Sequence, residues 1–374
     1  MTGANSNQQL SDKVVRYLSA PSTYDDDSPS IQICETHLSW VFLSQKTALK
    51  LKKPVRFEFV DYSTLESREK GCRAELHLNR RWSKDVYLDV VPITRDARGQ
   101  LALSGKGYPI DWVVKMRRLS DECRLNFLLT DALQKDPVLP LRHGIAAGEN
   151  ASGGSITAQR SKIRDERFSR ASERDLADWL VNRYLDLPPL EIQPASYVDR
   201  IFAHEQANAL DLGEHVKKEE YQLLLRTHGA LLLFLFTHRA DFESRVRSGR
   251  IVDGHGDLRP EHIYLESTPQ ITPQIIDGIE FSADLRTVDI LDELCFLAME
   301  CEQLGATRLA TTVLRTYQQR FGDIVSDSLV HFYKAYRAVV RAKVSALRSA
   351  QLAEEARRSF LRERCNYLHR ADHE

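Results

Sequence analysis

The chain has 374 residues, of which 42% are hydrophobic and 28% charged, and at about 150 residues per domain this length predicts two domains or lobes. The composition excludes an intrinsically disordered chain, a collagen-like repeat and a disulfide-knotted secreted module. With 52 basic and 53 acidic residues, the net charge of −1 gives no global attraction to nucleic acid or anionic membrane, so we expect neither as a partner.

The cysteines and the apolar runs predict a cytoplasmic protein. The six cysteines show neither a C-x-x-C pair nor the His/Cys spacing of a zinc site, which favours free thiols. The first 13 residues are polar, without the apolar core of a signal peptide. The longest apolar run, 230–236, has 7 residues, whereas a membrane span needs about 20.

The first 30 residues are predicted to form a short amphipathic helix over 10–18 followed by an acidic, proline-containing loop at 22–30. Residues 31–118 then alternate between strand-like runs and one helix, in the order β-β-α-β-β. A capping box at Ser63–Glu66 predicts the start of that helix, which should continue to about Trp82. The predicted strands are 38–43, 48–52, 86–93 and 112–116. This region is therefore expected to be a small mixed α/β lobe.

Residues 119–374 are expected to form a larger, mainly helical lobe. A variable insertion is predicted near 144–215, and its mixed-charge part at 144–175 indicates a mobile insertion or a solvated helix. An apolar stripe predicts one long helix from Glu219 to Val246, a β-rich stretch covers 251–281, and helices follow. The predicted fold class is α+β.

The densest functional signal is the segment HGDLRPEHI at 255–263, followed by Ile275-Ile276-Asp277. Asp257 and Asp277 are 20 residues apart, and each is predicted beside a short strand. Phosphoryl transfer uses such a pair of carboxylates: one orients and deprotonates the acceptor hydroxyl, and the other holds Mg²⁺ on the phosphates.

HGDLRPEHI resembles the catalytic loop of kinase-fold phosphotransferases, whose protein-kinase form is H-R-D-x-x-x-x-N. The HGD form with Ile-Ile-Asp is more similar to the aminoglycoside phosphotransferase and choline kinase branch. A resemblance to a bacterial family labelled aminoglycoside phosphotransferase-like extends over most of 31–347. The segments that carry it include ETHLSWVFL, KLKKPVRFEFVDYSTLESR, AELHLNRR, WVVKMRRL, DELCFLAME and YRAVVRAKV.

This resemblance implies a bilobal, protein-kinase-like fold that uses ATP (or GTP) and Mg²⁺ to phosphorylate a hydroxyl of a small molecule. Some members of that family carry a C-terminal P-loop ATPase domain. The chain contains no G-x-x-x-x-G-K-[ST] motif, so we expect the kinase-like part alone, with a separate P-loop ATPase as a possible partner.

The resemblance also implies roles for individual residues. Asp257 is expected to be the catalytic base, and His255 to brace the loop through backbone hydrogen bonds. Asp277 is expected to be the principal magnesium ligand. His262 stands where the template has Asn, so it is either a second metal ligand or a packing residue, because nitrogen suits a hard cation poorly. Arg259 either neutralises the transferring phosphoryl group or is a solvated loop arginine.

The phosphate-binding lysine is expected on the third strand of the small lobe. Alternation places Ala48, Lys50 and Lys52 on one face. We favour Lys50 over Lys52 because Ala48-Leu49-Lys50 resembles the A-I-K portion of the kinase motif, although a solvated basic edge is also consistent with this run. Glu75, on a partly apolar helix stripe, is the expected partner of the lysine.

Two features depart from a routine protein kinase. No G-x-G-x-x-G precedes the lysine, and Asp289 comes only 12 positions after Asp277, with no A-P-E after it. The short spacing favours a small-molecule acceptor over a peptide. The missing glycines and His262 keep open a pseudokinase, a module that binds nucleotide or acts as a scaffold without catalysis.

Two further predictions concern later helices. Asp289 is expected either to brace the catalytic loop or to cap the helix that it opens. Arg337 and Arg341 share a helix face, where they either meet an anionic acceptor or form a salt-bridged surface.

Overall fold

The computed structural model describes residues 2–57, 59–135, 170–268, 270–350 and 354–373. The chain divides into two compact units. The sheet unit consists of Met1–Arg124 and His262–Leu285, and the helical unit consists of Leu125–Glu261 and Arg286–Glu374. Residues 262–285 thus belong to the sheet unit, whereas the predicted limits place them in the C-terminal lobe.

The described helices and strands lie on either side of residues 136–169. Up to residue 135 they are α1 (Thr2–Leu18), β1 (Gln32–Glu35), β2 (Ser39–Leu43), β3 (Thr47–Lys52), β4 (Arg56–Phe57), β5 (Val60–Asp61), α2 (Leu65–Asn79), β6 (Tyr87–Arg95), β7 (Leu101–Leu103), β8 (Tyr108–Arg117) and α3 (Leu125–Lys135). From residue 170 they are α4 (Arg170–Leu185), α5 (Pro194–Gly213), α6 (Lys218–Thr237), α7 (Arg239–Arg247), β9 (Ile251–Asp253), β10 (Ile263–Thr268), β11 (Gln270–Ile275), α8 (Ala283–Arg286), β12 (Thr287–Asp289), α9 (Ile290–Gln303), α10 (Thr307–Phe321), α11 (Asp327–Ala350) and α12 (Glu354–His373).

The sheet unit is built on six antiparallel strands in the order β1-β2-β3-β8-β6-β7, and β10 and β11 form a separate hairpin. Residues on β3 alternate between the two faces of the sheet. Leu49 belongs to the core cluster that contains the buried residues of α1, whereas Ala48 packs in the cluster of Cys72 from α2. The face that α2 covers is therefore also the face of Lys50 and Lys52.

The four predicted strands and the helix α2 are confirmed, but α2 ends at Asn79 rather than near Trp82, and its capping box lies one residue later than expected. Thr64 is the N-cap of α2: its side chain accepts from the Ser67 backbone N–H at 3.1 Å, and the Ser67 hydroxyl accepts from the Thr64 N–H at 3.2 Å. Ser63 instead donates its backbone N–H and its hydroxyl to Asp61 at 2.9 and 2.6 Å. Because Ser63 is engaged by Asp61, Glu66 has no role in the cap and pairs with Lys70.

The helical unit is centred on α9, in which every residue from Ile290 to Cys301 is buried. The short strands β9 and β12 pair antiparallel. The α+β fold class is therefore confirmed, with a sheet-based unit and a mainly helical unit.

The single helix predicted over 219–246 is wrong, because α6 ends at Thr237 and α7 begins at Arg239. His238 has non-helical dihedrals (φ −110°, ψ 20°), and its ring stacks on that of Phe234 with centroids 4.0 Å apart. The spacing of the buried positions Leu235, Phe242 and Val246 stays compatible with one helix face, so the sequence periodicity gives no sign of the break.

The predicted insertion near 144–215 lies partly outside the described residues, which resume at Arg170. The part that is described belongs to α4 and α5. Glu173 is buried and binds the Arg308 guanidinium through two hydrogen bonds of 2.6 Å, so this end of the mixed-charge segment is not a solvated helix.

The cysteines are free thiols, as predicted, and Cys72, Cys295 and Cys301 are buried. Burial raises the pKa of the Cys72 thiol to about 12. None of the described helices combines the length and the apolar character that a membrane span requires.

Candidate functional site

Five charged side chains of the sheet unit form one connected group, which we call the charge cluster: Lys50, Lys52, Glu75, Asp277 and Glu280. Lys50 Nζ lies 2.8 Å from Glu75 Oε1 and 2.5 Å from Asp277 Oδ1. Lys52 Nζ lies 2.7 Å from Glu75 Oε2 and 2.5 Å from Glu280 Oε1. The buried Glu75 carboxylate therefore holds both lysines, one on each oxygen.

The two lysines differ in their access to solvent. The side chain of Lys52 is fully buried and that of Lys50 is 12% exposed. Neither belongs to a solvated basic edge, so this alternative is wrong for both residues. Of the two lysines, only Lys50 keeps part of its side chain exposed, and its choice over Lys52 as the phosphate-binding residue stays a prediction.

Neighbouring charges keep these groups ionised despite their burial. Burial lowers the pKa of the Lys50 and Lys52 amines, but the adjacent carboxylates outweigh it and hold both pKa values well above the usual range. Burial likewise raises the pKa of Glu280, yet Lys52 and Lys50 bring it below the ordinary carboxyl value. The Tyr62 hydroxyl also donates to Glu280 at 2.8 Å.

Asp277 follows β11 in a backbone conformation that is rare for a non-glycine residue, with φ of 64°. Its N–H donates to the Tyr87 hydroxyl at 2.9 Å, and the next N–H, of Gly278, donates to Asn79 Oδ1 at 2.8 Å. Asn79 Nδ2 returns a bond of 3.4 Å to the Gly278 carbonyl. The side chain of Asp277 remains 45% exposed. Such backbone strain persists only where the surroundings impose it, and it is frequent at ligand sites.

His262 lies near Asp277, with Nε2 3.7 Å from Asp277 Oδ2, too far for a hydrogen bond. Its carbonyl accepts from the Ile276 N–H at 2.9 Å. Among the described residues, no group of three or more His, Cys, Asp or Glu side chains is arranged to hold a metal ion. A bound Mg²⁺ usually takes one or two protein carboxylates and completes its shell with phosphate oxygens and water, so the exposed Asp277 carboxylate fits such an ion.

The segment 254–259 of the helical unit, which we call the HGD loop, is held by Glu293 of α9. The N–H groups of His255 and Gly256 both donate to the Glu293 carboxylate, the former at 2.8 Å. The Tyr184 hydroxyl donates to the same carboxylate at 2.7 Å. A Cβ atom on Gly254 would lie 2.3 Å from Glu293 Oε2, so this close approach requires glycine.

His255 is fully buried, and its Nδ1 accepts from the Asp257 N–H at 3.3 Å. This bond agrees with a bracing role for His255 and fixes the backbone of the proposed catalytic base. The Asp257 side chain is 32% exposed.

Arg259 is not a solvated loop arginine, because the residue is only 2% exposed. Its Nε lies 3.4 Å from Asp257 Oδ1, and its Nη2 contacts the Glu261 carboxylate. The guanidinium therefore sits beside the candidate base, and the solvated alternative is wrong.

The residue that braces the HGD loop is Glu293 rather than Asp289. Asp289 caps α9, accepting from the Leu291 N–H at 2.8 Å, and binds the Arg245 guanidinium and the Tyr333 hydroxyl. The helix-cap alternative is thus correct for Asp289.

Arg337 and Arg341 are salt-bridged as expected, but both are buried rather than on a surface. Arg337 makes a bidentate pair with Asp292 at 2.7 and 2.6 Å. Arg341 lies 3.1 Å from Glu300 and 2.9 Å from Glu363.

Sequence reasoning missed Glu280, Glu293 and the side chains that bind the backbone at 277–278, namely Tyr87 and Asn79. Glu293 had a usable signal, since a glutamate within the apolar run DELCFLAM needs a buried partner. Asn79 and Tyr87 had none, because their partners are distant in sequence.

No family model matches the chain. Curated relatives are uncharacterised proteins of Mycobacterium tuberculosis and Mycobacterium bovis, each 31% identical over 331 residues, or 88% of this chain. The chain spans 57% of the length of these relatives.

Among solved structures, the chain is similar to a choline/ethanolamine kinase family protein from Mesorhizobium loti (12% identity, 98% of this chain and 100% of that chain, TM-score 0.45). It is also similar to a glucosamine kinase in complex with glucosamine, ADP and inorganic phosphate (11%, 97% and 81%, 0.43). A third is an aminoglycoside-3'-phosphotransferase of type VIII (14%, 87% and 97%, 0.41). These proteins are small-molecule kinases, the class that the sequence motifs resemble.

Proposed function

We propose that the chain is an ATP- and Mg²⁺-dependent phosphotransferase that phosphorylates a hydroxyl group of a small molecule. The observation that carries this proposal is the position of Lys50 Nζ, within 2.8 Å of a buried Glu75 and 2.5 Å of the exposed Asp277. In kinase-type sites a strand lysine paired with a helix glutamate binds nucleotide phosphates, and a carboxylate nearby binds the metal ion.

On the nucleotide side, Lys50 binds the phosphates while Glu75 orients its amine. Lys52 and Glu280 are buried, so their role is structural. Lys52 binds both Glu75 and Glu280 and thereby holds Glu75 next to the segment after β11. Asp277 is the protein ligand of the metal ion, and His262 lies beside it. The ion, when bound, neutralises charge on the phosphates.

On the acceptor side, Asp257 orients the substrate hydroxyl and takes its proton as the oxygen attacks the phosphoryl group. His255 and Glu293 hold the backbone of Asp257 so that the carboxylate keeps one position. Arg259, 3.4 Å from Asp257 Oδ1, supplies positive charge next to the base. The connection between Asp277 and Asp289 is short, and α8 and β12 take up much of it. This shortness favours a small acceptor over a peptide.

The proposal is tested by an ATP-dependent mass-gain screen of a hydroxyl-compound library, combined with calorimetry of Mg·ATP binding. Lys50→Ala should weaken Mg·ATP binding strongly with little loss of stability, whereas Lys52→Ala should mainly lower stability, because it leaves Glu75 and Glu280 buried without their shared cation. Lys106→Ala, at an exposed position of the same unit, is the matched control. GTP in place of ATP tests nucleotide choice.

A second candidate is a pseudokinase that binds nucleotide without turnover. It is favoured by His262 at the position of the template asparagine and by Glu35–Trp40, a run without glycine that occupies the place of a glycine-rich loop. Mg·ATP binding without phosphate release or product in any screen would support this candidate. Unchanged binding and unchanged turnover in Lys50→Ala would contradict the phosphate-binding role of Lys50 that both candidates use.

A further inference from the structure

Helix α6 of the helical unit is apolar on both of its sides. Its inner side is buried at Leu223, Leu224, Leu231 and Leu235. Its outer side carries four large apolar side chains that are exposed, namely Tyr221, Leu225, Leu233 and Phe236. A helix that is apolar all round is typical of an element that is covered on every side. The outer side of α6 therefore has the character of a contact surface.

The exposed side chains follow one line along the helix, which we call the outer row: Tyr221, Leu225, Gly229, Leu233 and Phe236. Successive members are three or four residues apart, so they lie on one face of the helix. Leu233 is 62% exposed and Phe236 is 79% exposed. Most of the apolar surface of these two residues is therefore in contact with water.

The apolar surface continues onto the end of α5. A Cβ atom on Gly213 would lie 3.5 Å from Cε2 of Tyr221, so this end of α5 lies next to the outer row. Leu210, one turn before Gly213, is on the same side of α5 and is 71% exposed. The outer row and Leu210 thus form one apolar patch.

The outer side of α6 carries almost no charge. Residues 221–237 are all described, and of the exposed ones in this range only Arg226 is charged. Its guanidinium binds the Asp372 carboxylate through hydrogen bonds of 3.2 and 2.9 Å. Covering this side would leave no charge of the row without a partner, which favours a protein contact. A helix that lies on an anionic membrane instead displays several Lys or Arg residues.

Gly229 lies at the centre of the outer row, where a second helix could cross. It is exposed, and a Cβ atom there would point into open space. Packing within the chain therefore does not require glycine, although glycine weakens a helix interior. Leu225 and Leu233 lie four residues to either side of it. A row with this mirror spacing is complementary to a second copy of itself that runs in the opposite direction.

We propose that the outer side of α6 is the interface of a homodimer, in which two copies pack α6 against α6 antiparallel about a two-fold axis at Gly229. Leu225 of each copy then packs against Leu233 of the other, and Tyr221 lies beside Phe236 of the other. Because both copies use the same patch, the assembly closes at two chains. None of these residues belongs to the charge cluster or the HGD loop, so the dimer is independent of the proposed function.

The area of the patch matches a weak dimer. A large aromatic side chain buries about 150–250 Å² when it is fully covered, so the four exposed side chains of the outer row would lose roughly 400 Å² per copy. With Leu210 and the flanking residues, the total for two copies would reach ~1,000 Å², the lower limit of a specific interface. We therefore expect a dissociation constant in the micromolar range.

Sedimentation equilibrium of the full chain over about 1–200 µM tests the dimer. We expect the average mass to rise from that of one chain toward that of two. Leu233→Glu should weaken association by about tenfold or more, because each copy then places a carboxylate against an apolar partner. Leu185→Glu, at an exposed apolar position of α4, is the matched control and should associate as the unmodified chain does.

A mixture of two variants tests the antiparallel register. Leu225→Lys and Leu233→Glu should each associate weakly alone. Their equimolar mixture should associate more tightly than either variant, because the introduced ammonium and carboxylate groups then face each other across the interface. A mixture that associates no better than its components would overturn the proposed packing about Gly229.

Gly229→Leu distinguishes a lost contact from a damaged fold. Its side chain enters open space within the chain, and leucine favours a helix more than glycine does. The melting temperature at about 1 µM, where the chain is monomeric, should stay the same or rise, while association weakens about tenfold or more. A chain that remains monomeric at about 200 µM, or equal association of the unmodified chain, Leu233→Glu and Gly229→Leu, would overturn the inference. Binding of the monomer to phosphatidylserine-containing vesicles in place of self-association would overturn it as well.

Discussion

The charge cluster and the HGD loop are held in place by opposite means. In the charge cluster, side-chain charges hold one another, and Glu75 is shared by two lysines. In the HGD loop, the Glu293 carboxylate holds the backbone, through the N–H groups of His255 and Gly256. The Asp257 carboxylate takes no part in these contacts of Glu293, and it lies 3.4 Å from Arg259 Nε.

A substitution in the HGD loop can therefore change catalysis without changing stability, whereas a substitution of a buried residue of the charge cluster changes both. Substituting Asp257 leaves the contacts of Glu293 intact, so a change there should affect the reaction alone. Substituting a fully buried member of the charge cluster, such as Glu75, removes a partner of a buried charge and affects folding and ligand binding together. The predictions below test this contrast, beginning with the largest expected effect.

The largest effect is expected for Glu75→Ala. It removes the carboxylate shared by Lys50 and the fully buried Lys52, and breaking a buried pair on one side costs about 3–5 kcal/mol. The free energy of unfolding from urea titration measures it. Glu66→Ala, on the exposed side of the same helix, is the control and should change stability little. Equal stability of the two variants would show that the cluster is not held by its charges.

Asp257→Asn should lower turnover by a factor of ~10² or more, because an amide cannot accept the hydroxyl proton. Mg·ATP binding and the midpoint of urea unfolding should stay at the values of the unmodified chain, since Glu293 and His255 hold the loop. Asp175→Asn, at an exposed position of α4, is the control. A loss of stability comparable to that of Glu75→Ala would remove the distinction between the two regions.

Glu293→Gln should destabilise the helical unit by about 1–3 kcal/mol. Its carboxylate accepts on both oxygens, whereas the amide of Gln offers one acceptor and turns a donor toward the other N–H. Unfolding in urea gives the stability, and Glu191→Gln, which is exposed, is the control. Turnover should fall as well, because Asp257 loses its fixed backbone. Turnover that falls with no change in stability would instead indicate a direct catalytic part for Glu293.

Local sequence signals predicted the strands β2, β3, β6 and β8, the helix α2 and the Lys50–Glu75 pair. The alternation on β3 assigned Ala48, Lys50 and Lys52 to one face, and a glutamate on an apolar stripe of α2 required a cation. Both inferences depend on periodicity within one element. The roles of these residues in phosphate binding remain predictions.

The remainder of the site depends on tertiary contacts that no local pattern encodes. Glu280 follows Asp277 in an irregular segment, where spacing does not fix direction, and its partner Lys52 is 228 residues away in sequence. Asn79 and Gly278 are 199 residues apart. No glycine or proline lies next to His238 to indicate the break between α6 and α7. Local sequence patterns do not encode such features, so only the folded structure reveals them.

The smallest effect, and the one with the clearest sign, concerns pH and Glu280. Burial raises the pKa of this carboxyl, but Lys52 and Lys50 outweigh it, so its folded-state pKa is below the ordinary value of 4.5. A carboxyl with a depressed folded pKa contributes stability above its unfolded pKa and loses it as pH falls through the folded pKa. We therefore expect Glu280→Gln to lower the melting temperature at about pH 7, and the difference from the unmodified chain to shrink as the pH falls to about 3.5. Glu191→Gln, an exposed control, should follow the unmodified chain throughout. A difference that is constant or grows on acidification would mean that Glu280 acts through packing rather than charge, and that side-chain charges do not hold this part of the cluster.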